Sequence, residues 1–273
     1  MRRQTVKSEA GVDPALGTAF AWQGSALVGE SFAVYVGPIA VTAVHQHHAV
    51  QLVISDGPSL TWRHAGGSLR ARCALIDSEA RHAIAAPAHK ATLIYLEPES
   101  AWGDAVLSMR PAGVQMPGVW PLDGSPLADA MSAWVSSSDS CVSQLEGLLQ
   151  WLRSRAPAGG RPPLPGSLAR MLDLMPALTS GPIRIKELAT AVCLSPDRLS
   201  HLVRQHMGTT VRAYVRWQRL QAAARCLAKG AGITEAAHAA GFSDASHMNR
   251  VFRRSLGISP SAVARAVRWH VVP

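Results

Sequence analysis

Residues 45–51 read HQHHAVQ. Three imidazoles within four positions, with an amide close behind, are an unusual concentration of donor groups. Neutral imidazole binds zinc, copper, nickel and iron(II). His45 and His47 are two residues apart, so on a strand both side chains face the same way and can converge. His48 then points away, to the surface or into a core. Alone, the cluster suggests metal chemistry in an enzyme or a sensor, or a pocket that uses its imidazoles for something else. Trp62 stands near a predicted hairpin, where it stacks on an aromatic ligand or fills the core.

The elements that must hold these residues read as strands from about 18 to 98. SFAVYVG, IAVTAV, VQLVIS, SLTWRH, ARCALID and KATLIYLE are short β-rich runs separated by Gly, Pro, Asp and His-rich turns. Such spacing predicts a sandwich or a small barrel. From about 124 to 155 the period changes. Apolar residues fall at Leu127, Met131, Trp134 and Val135, then at Val142, Leu145, Leu148, Leu149 and Leu152. Those steps of three and four predict two amphipathic helices with a serine-rich turn between them. The second stripe covers the β-domain or serves as a subunit seam. RAPAGGRPPLPG at 155–166 is rich in proline and glycine and predicts a linker. The chain thus divides into 1–154, a linker at 155–166, and 167–273.

Charge separates the two halves. Residues 1–160 hold 11 Lys and Arg against 13 Asp and Glu, whereas residues 161–273 hold 16 against 5. The whole excess of +9 therefore lies in residues 161–273, which points to a polyanion such as nucleic acid. Cys73, Cys141, Cys193 and Cys226 form no CxxC pair, against a zinc ribbon or disulfide scaffold. Reduced thiols, no apolar leader and no apolar run long enough to span a bilayer predict a cytoplasmic protein.

The basic region contains a repeat. ELATAVCLSPDRLSHLVRQHMG at 187–208 and EAAHAAGFSDASHMNRVFRRSLG at 235–257 each begin with Glu, turn at Cys193 or Gly241, and close at Gly208 or Gly257. The second copy has one more residue in its turn. Ala189 and Ala237 are small where two helices must cross. Ser195 is a predicted N-cap followed by Pro196, and Ser243 or Asp244 caps the second unit. Leu199, Leu202 and Val203 make one apolar face; Met248, Val251 and Phe252 make the other. The helix between, TVRAYVRWQRLQAAARCLAKG, holds the two units apart, so that they can enter major-groove segments about 34 Å apart.

GFSDASHMNRVFRRSLGISPSAVAR resembles the signature of AraC/XylS-type transcription regulators. Gly241, Phe242, Ser246, Arg250, Phe252, Arg253, Gly257, Ile258 and Pro260 carry it, and Arg219-Leu220 resembles the Arg-Leu pair of the linker helix. The match covers about 168–268. Met248 stands where an aromatic is usual, Ala236 where isoleucine is usual, and Cys193 where glycine is common. The resemblance implies an all-α DNA-binding domain with two helix-turn-helix motifs. Its base-facing positions would be Asp197, Arg198, Ser200 and His201, then Ala245, Ser246, His247, Asn249 and Arg250. Arginine prefers guanine and asparagine adenine, while Asp197 also suits a capping role and Arg250 a structural bridge. Arg204, Arg253 and Arg254 would hold phosphates.

The order of strands, helix pair, linker and DNA-binding domain resembles AraC-like proteins with a cupin-like front barrel. The fold expected is therefore α+β: a cupin-like β-barrel with a helix pair, then the two-headed helical domain. The cupin metal motif is matched by His45, His47 and a distant His82, with Gln51 in the place of its carboxylate. That resemblance makes His45, His47, Gln51, Trp62 and His82 the effector-binding set, and His45, His47 and His82 candidate ligands for a divalent transition metal. Four readings stay open: a pocket for an organic effector, a structural hydrogen-bonding cluster, a metal-sensing site, and a catalytic metal centre. The implied function is a homodimeric, effector-responsive transcription regulator and not an enzyme. Its partners would be double-stranded DNA, a small-molecule or metal effector, and RNA polymerase. The alternatives are a cupin-type metalloenzyme with a DNA-binding tail and a constitutive DNA-binding protein whose β-domain only dimerises.

Overall fold

The computed structural model describes residues 22–110, 117–136, 147–148, 150–152, 154, 163–179, 181 and 183–271. The side chains of Met131, Trp134 and Val135, the residues Cys141, Val142, Leu145 and Leu149, and linker positions 155–162 lie outside the described residues.

Among the described residues, ten strands build two sheets. They are β1 (Gly24–Val28), β2 (Phe32–Ile39), β3 (Val50–Ser55), β4 (Leu60–His64), β5 (Gly67–Ala71), β6 (Cys73–Ile76), β7 (His82–Ile84), β8 (Ala88–Leu96), β9 (Val119–Pro121) and β10 (Val267–Val271). The larger sheet has the order β10-β1-β2-β8-β3-β6-β9, and the smaller has β5-β4-β7. Side chains alternate along β2, β3 and β8. Tyr35, Val53 and Leu93 share a core with Leu60, Trp62 and Ile84 of the small sheet. Val34, Leu52, Ile54 and Ile94 enter a second core on the opposite face. A period of two with apolar residues on both faces is what a sheet covered on both sides requires.

The second face is covered by α1 (Ala101–Leu107), α2 (Pro126–Ser136) and the helical residues near 150. Leu127, Leu148 and Leu152 of the predicted stripes are buried there against the sheet. In its described part, the stripe therefore covers the β-domain. The expected strand IAVTAV is not one beyond Ile39; residues 40–44 are irregular, and Val41 and Val44 are exposed.

The helical region comprises α3 (Gly166–Leu178), α4 (Ile185–Ala191), α5 (Pro196–Met207), α6 (Val211–Ala228), α7 (Ile233–Ala239), α8 (Ala245–Leu256) and α9 (Pro260–Ala264). The first unit has its own core, from Leu168 and Met171 through Leu188, Leu199 and Val203 to Val211. The second shares the β-domain's core: Trp217, Phe242, Met248, Val251 and Phe252 join the cluster that holds Tyr35 and Trp62. The chain then leaves its helices. Strand β10 runs parallel to β1, pairing Gly24 with Val267 through Val28 with Val271, and becomes an edge of the larger sheet. This strand is absent from the sequence reading, which keeps the whole region helical.

Candidate nucleic-acid interface and the buried histidine site

Each reading unit is a short helix, a tight turn and a longer helix. Ser195 caps α5, its hydroxyl accepting from the Arg198 N–H, and Pro196 opens the helix. Asp244 caps α8 by accepting from the His247 N–H at 2.6 Å. Both helices end on a left-handed glycine, Gly208 at φ 66° and Gly257 at φ 71°. The turns match as well. Gly241 has φ 73° and Cys193, at the same place in the first unit, has φ 56°. A Cβ on Gly241 would sit 2.2 Å from the Thr179 carbonyl oxygen, so only glycine fits.

The apolar faces are buried as expected, with Leu199, Val203 and Met248 fully covered. Asp197, Arg198, His201 and Arg204 are exposed and Ser200 is half-buried. Ser200 donates to the Pro196 carbonyl, 2.8 Å away. On α8, Ser246, Arg250 and Arg253 are exposed. Three expected contacts have other neighbours. Ala245 packs against the core. The His247 ring stacks edge-on against Phe242 at 5.4 Å. The Asn249 Oδ1 is shielded from water and has no hydrogen-bond partner among the described residues. Arg254 is exposed, yet it also borders a small cavity with His48, Glu79 and Arg216 at the seam with the β-domain. Asp197 lies in the first turn of α5, but the cap is Ser195.

His45, His47 and His82 come together, though by a route other than strand alternation. His45 and His47 lie in the irregular stretch before β3. His45 forms an isolated two-way bridge with His82, through hydrogen bonds of 2.9 and 3.0 Å. The ring centroids are 4.1 to 5.8 Å apart, and one nitrogen from each ring lies within 4.8 Å of the others. All three residues are buried.

Their protonation follows from their partners. The Nδ1 atoms of His45, His47 and His82 lie 2.9, 2.8 and 3.0 Å from the carbonyls of Ala43, Ala49 and Ala80. A carbonyl only accepts, so each Nδ1 carries the proton and each Nε2 keeps a lone pair. Burial then disfavours charge. It lowers the pKa of His45 to about 3, with the neighbouring His47 adding to the effect. The same cause holds His47 below its ordinary value and His82 well below it. Gln51 lies 3.1 Å from the His47 Nε2 and also bonds Tyr95. The atom nearest that Nε2 is the Gln51 Oε1, so pairing with the imidazole lone pair needs the amide turned to present its NH₂. Three neutral imidazoles, each oriented by a carbonyl behind it, form a donor set that fits a divalent transition metal. Trp62 is fully buried in the core, 6.3 Å from the His82 ring.

His48 does not point to the surface. Its Nε2 meets the Glu99 carboxylate at 2.9 Å in a buried pair. Burial is the largest single influence and opposes a charge there, but the carboxylates of Glu99, Glu79 and Glu97 together outweigh it, and the pKa rises. The ring stands edge-on to Tyr214 of α6 at 5.2 Å. Around it runs a polar seam between the domains. Thr209 donates to Glu79, and Gln218 donates to Glu97, each at 2.6 Å. Sequence reasoning missed these residues because their partners lie more than 100 positions away; the only local signal was the glutamate pair in EPES after β8. The histidine site touches this seam. His47 lies 6.0 Å from the Trp217 ring. Ala43 donates its N–H to the Gly257 carbonyl at 3.1 Å.

Comparison with known proteins gives these surroundings a setting. Residues 188–266 match the family described as a helix-turn-helix domain. The arabinose operon regulatory proteins of Salmonella typhimurium and Escherichia coli are both 40% identical over 78 residues, 28% of this chain. That stretch spans 28% of the Salmonella protein and 27% of the Escherichia coli protein. Over most of its length the chain shares the fold of ToxT from Vibrio cholerae. The apo form aligns with TM-score 0.58 and 12% identity, over 86% of this chain and 97% of that one. A ToxT structure with bound unsaturated fatty acid aligns with TM-score 0.57 and 12% identity, over 85% and 94%. The C-terminal region of this chain, residues 188–266, is a helix-turn-helix domain similar to that of the arabinose operon regulatory proteins.

Proposed function

We propose that the protein is a cytoplasmic, sequence-specific DNA-binding transcription regulator whose affinity for DNA responds to a ligand held at the β-domain. The observation that carries this reading is the pair of capped helices, α5 and α8, with exposed arginines on matching turns inside the stretch that matches the helix-turn-helix family. On this reading Arg198, His201 and Arg250, with Ser200 and Ser246, read base edges. Arg204 and Arg253 hold phosphates. A ligand-bound ToxT with the same overall fold supports a ligand for this one.

The histidine site is the candidate for a metal effector. His45, His47 and His82 would hold a divalent transition ion through Nε2, with Gln51 beside them. Bound there, the ion would tie the 45–47 stretch to β7 and neutralise lone-pair repulsion. The protein's own part is to keep each ring neutral and aimed. Contact with α6 and α8 at the same seam gives a path to the reading helices, provided that the ligand favours one arrangement over another. We read the protein as a regulator and not an enzyme, and as a homodimer.

The test is DNA selected from random duplexes with the full-length protein, followed by affinity measurements at several salt concentrations. Arg198→Ala and Arg250→Ala should cost about 1–3 kcal/mol on the selected site and relax the preference there. Arg204→Ala should weaken all duplexes alike and reduce the salt slope by about one. An unselected pool after several rounds, or Arg198→Ala binding as wild type does, would sink the assignment.

A further inference from the structure

The two reading heads are held by different cores. The second shares the core of the β-domain, whereas the first has its own, completed by Val211 and Tyr214 at the start of α6. Thr209 lies between α5 and α6, just after the left-handed Gly208 and just before the N-cap Thr210. A link this short, with a glycine in it, is where the first head can turn against the rest.

One stretch of the β-domain meets both reading helices just past their C-terminal ends. On one side the Ala43 N–H donates to the Gly257 carbonyl after α8. The approach is close: a Cβ on Gly257 would stand 2.6 Å from both the Ala43 carbonyl oxygen and the His45 Nδ1. On the other side the buried Thr209 donates its hydroxyl to the Glu79 Oε1 at 2.6 Å. Gln46 joins the two, its amide donating to the Glu79 Oε2 at 3.1 Å. The tie to α8 at Ala43 and the tie toward α5 at Gln46 thus sit on the same short segment.

Glu79 holds a backbone conformation that a glutamate does not favour. Its φ is 61°, in the left-handed region. Its N–H is fixed on the His47 carbonyl at 2.7 Å. Its carboxylate faces His48 at 4.0 Å and borders the same small cavity as Arg216 of α6. Glycine would relax this turn but could not reach Thr209. A strained residue with both carboxylate oxygens engaged, one of them across the domain seam, marks a functional constraint.

We propose that Glu79 is a positioning residue that fixes the spacing between the two DNA half-sites that the heads occupy together. Each reading helix is tied to α6 at one end and to the 43–46 segment or its partner Glu79 at the other, so their relative direction is set. With Thr209 released, the first head turns about residues 208–210 and meets half-sites at other spacings. One extra base pair moves a half-site by about 3.4 Å and rotates it by about a tenth of a turn. A fixed pair of heads rejects that displacement, and a loosened pair takes it up. This role rests on the regulator reading above, since it needs both heads on DNA.

The experiment takes the site selected by the full-length protein and changes the distance between its halves one base pair at a time, measuring affinity for each duplex. Wild type should prefer one spacing over either neighbour by about tenfold, the cost of one misplaced base contact. Glu79→Gly and Thr209→Val should each flatten the profile to within about threefold, while each half-site alone binds as it does to wild type. The two substitutions together should flatten it no further, because they remove one shared contact. Glu79→Gln and Thr209→Ser keep the hydrogen bond and should keep the wild-type preference. Should Glu79→Gly lose its circular dichroism, Thr209→Val alone decides. A profile in Thr209→Val as sharp as wild type overturns the role of Glu79, and so does a flat profile in wild type. Flattening by Glu79→Gln and Thr209→Ser as strong as by the other two would also overturn it, because the hydrogen bond would not be what holds the spacing. A wild type that selects no duplex removes the regulator reading together with this role, whereas a selected site with unaltered profiles removes this role alone.

Discussion

At the scale of single residues, Cys193 and the three buried imidazoles carry most of what can be tested. Cys193 occupies the left-handed conformation that its counterpart Gly241 adopts freely. A residue with a Cβ is strained there, whereas glycine is not. Cys193→Gly should therefore raise stability by about 0.5–1 kcal/mol, a small net gain because glycine also loosens the unfolded chain; chemical denaturation measures it, and a loss of stability would count against the strain. The imidazoles make a different prediction. Purified protein stripped with a chelator should take up a single equivalent of zinc or nickel per chain, with a rise in Tm, and His45→Ala and His82→Ala should each lose it. Metal retained in both variants would place it elsewhere. The grouping of His45, His47 and His82 came from the resemblance to the cupin motif, whereas the strand alternation offered for His45 and His47 does not hold. The role of His48 was not legible, because the period-two argument presumes a strand and residues 44–49 are irregular.

At the scale of elements, the repeat was the most legible feature, because helix caps and turns are local chemistry. Gly241→Ala should cost about 2–3 kcal/mol or more, since it combines a left-handed φ with a backbone collision at Thr179. A thermal midpoint equal to wild type would refute that geometry. Asp244 is held below the usual carboxylate range by the His247 N–H and then the Ser243 hydroxyl. Its cap is thus complete at neutral pH and is lost as pH falls through that lowered value. Asp244→Ala should lower Tm at neutral pH and Asp244→Ser should largely restore it, whereas equal midpoints for both would show that the cap contributes nothing. The β-runs were legible by alternation, but β9 and β10 are short and make sense only through partners far along the chain.

At the scale of the molecule, the two halves read from sequence as separate units joined by a linker, yet they share one core and one sheet. Charge and composition set apart the region that contains the helix-turn-helix match. They carry no information on docking, which depends on Gln218 finding Glu97 and β10 finding β1. Among the described residues no helix is long and apolar enough to cross a membrane. Ending the chain after Arg265 should uncover the β1 edge and loosen the second reading head. Limited proteolysis should then cut this form faster than the full chain between the β-domain and the helices, and equal rates would show that β10 does not hold the domains together.

The same parallel pair has a consequence for synthesis. Strand β1 leaves the ribosome more than two hundred residues before β10, a wait of roughly ten to fifty seconds at ordinary elongation rates. Throughout that interval one margin of the sheet has unpaired backbone groups, the kind of surface on which nascent chains aggregate or recruit a chaperone. A message cut short within the second reading head would yield a chain with that margin open for good. Strand β10 would then act as a completeness mark, closing the sheet only on chains that already contain both reading heads.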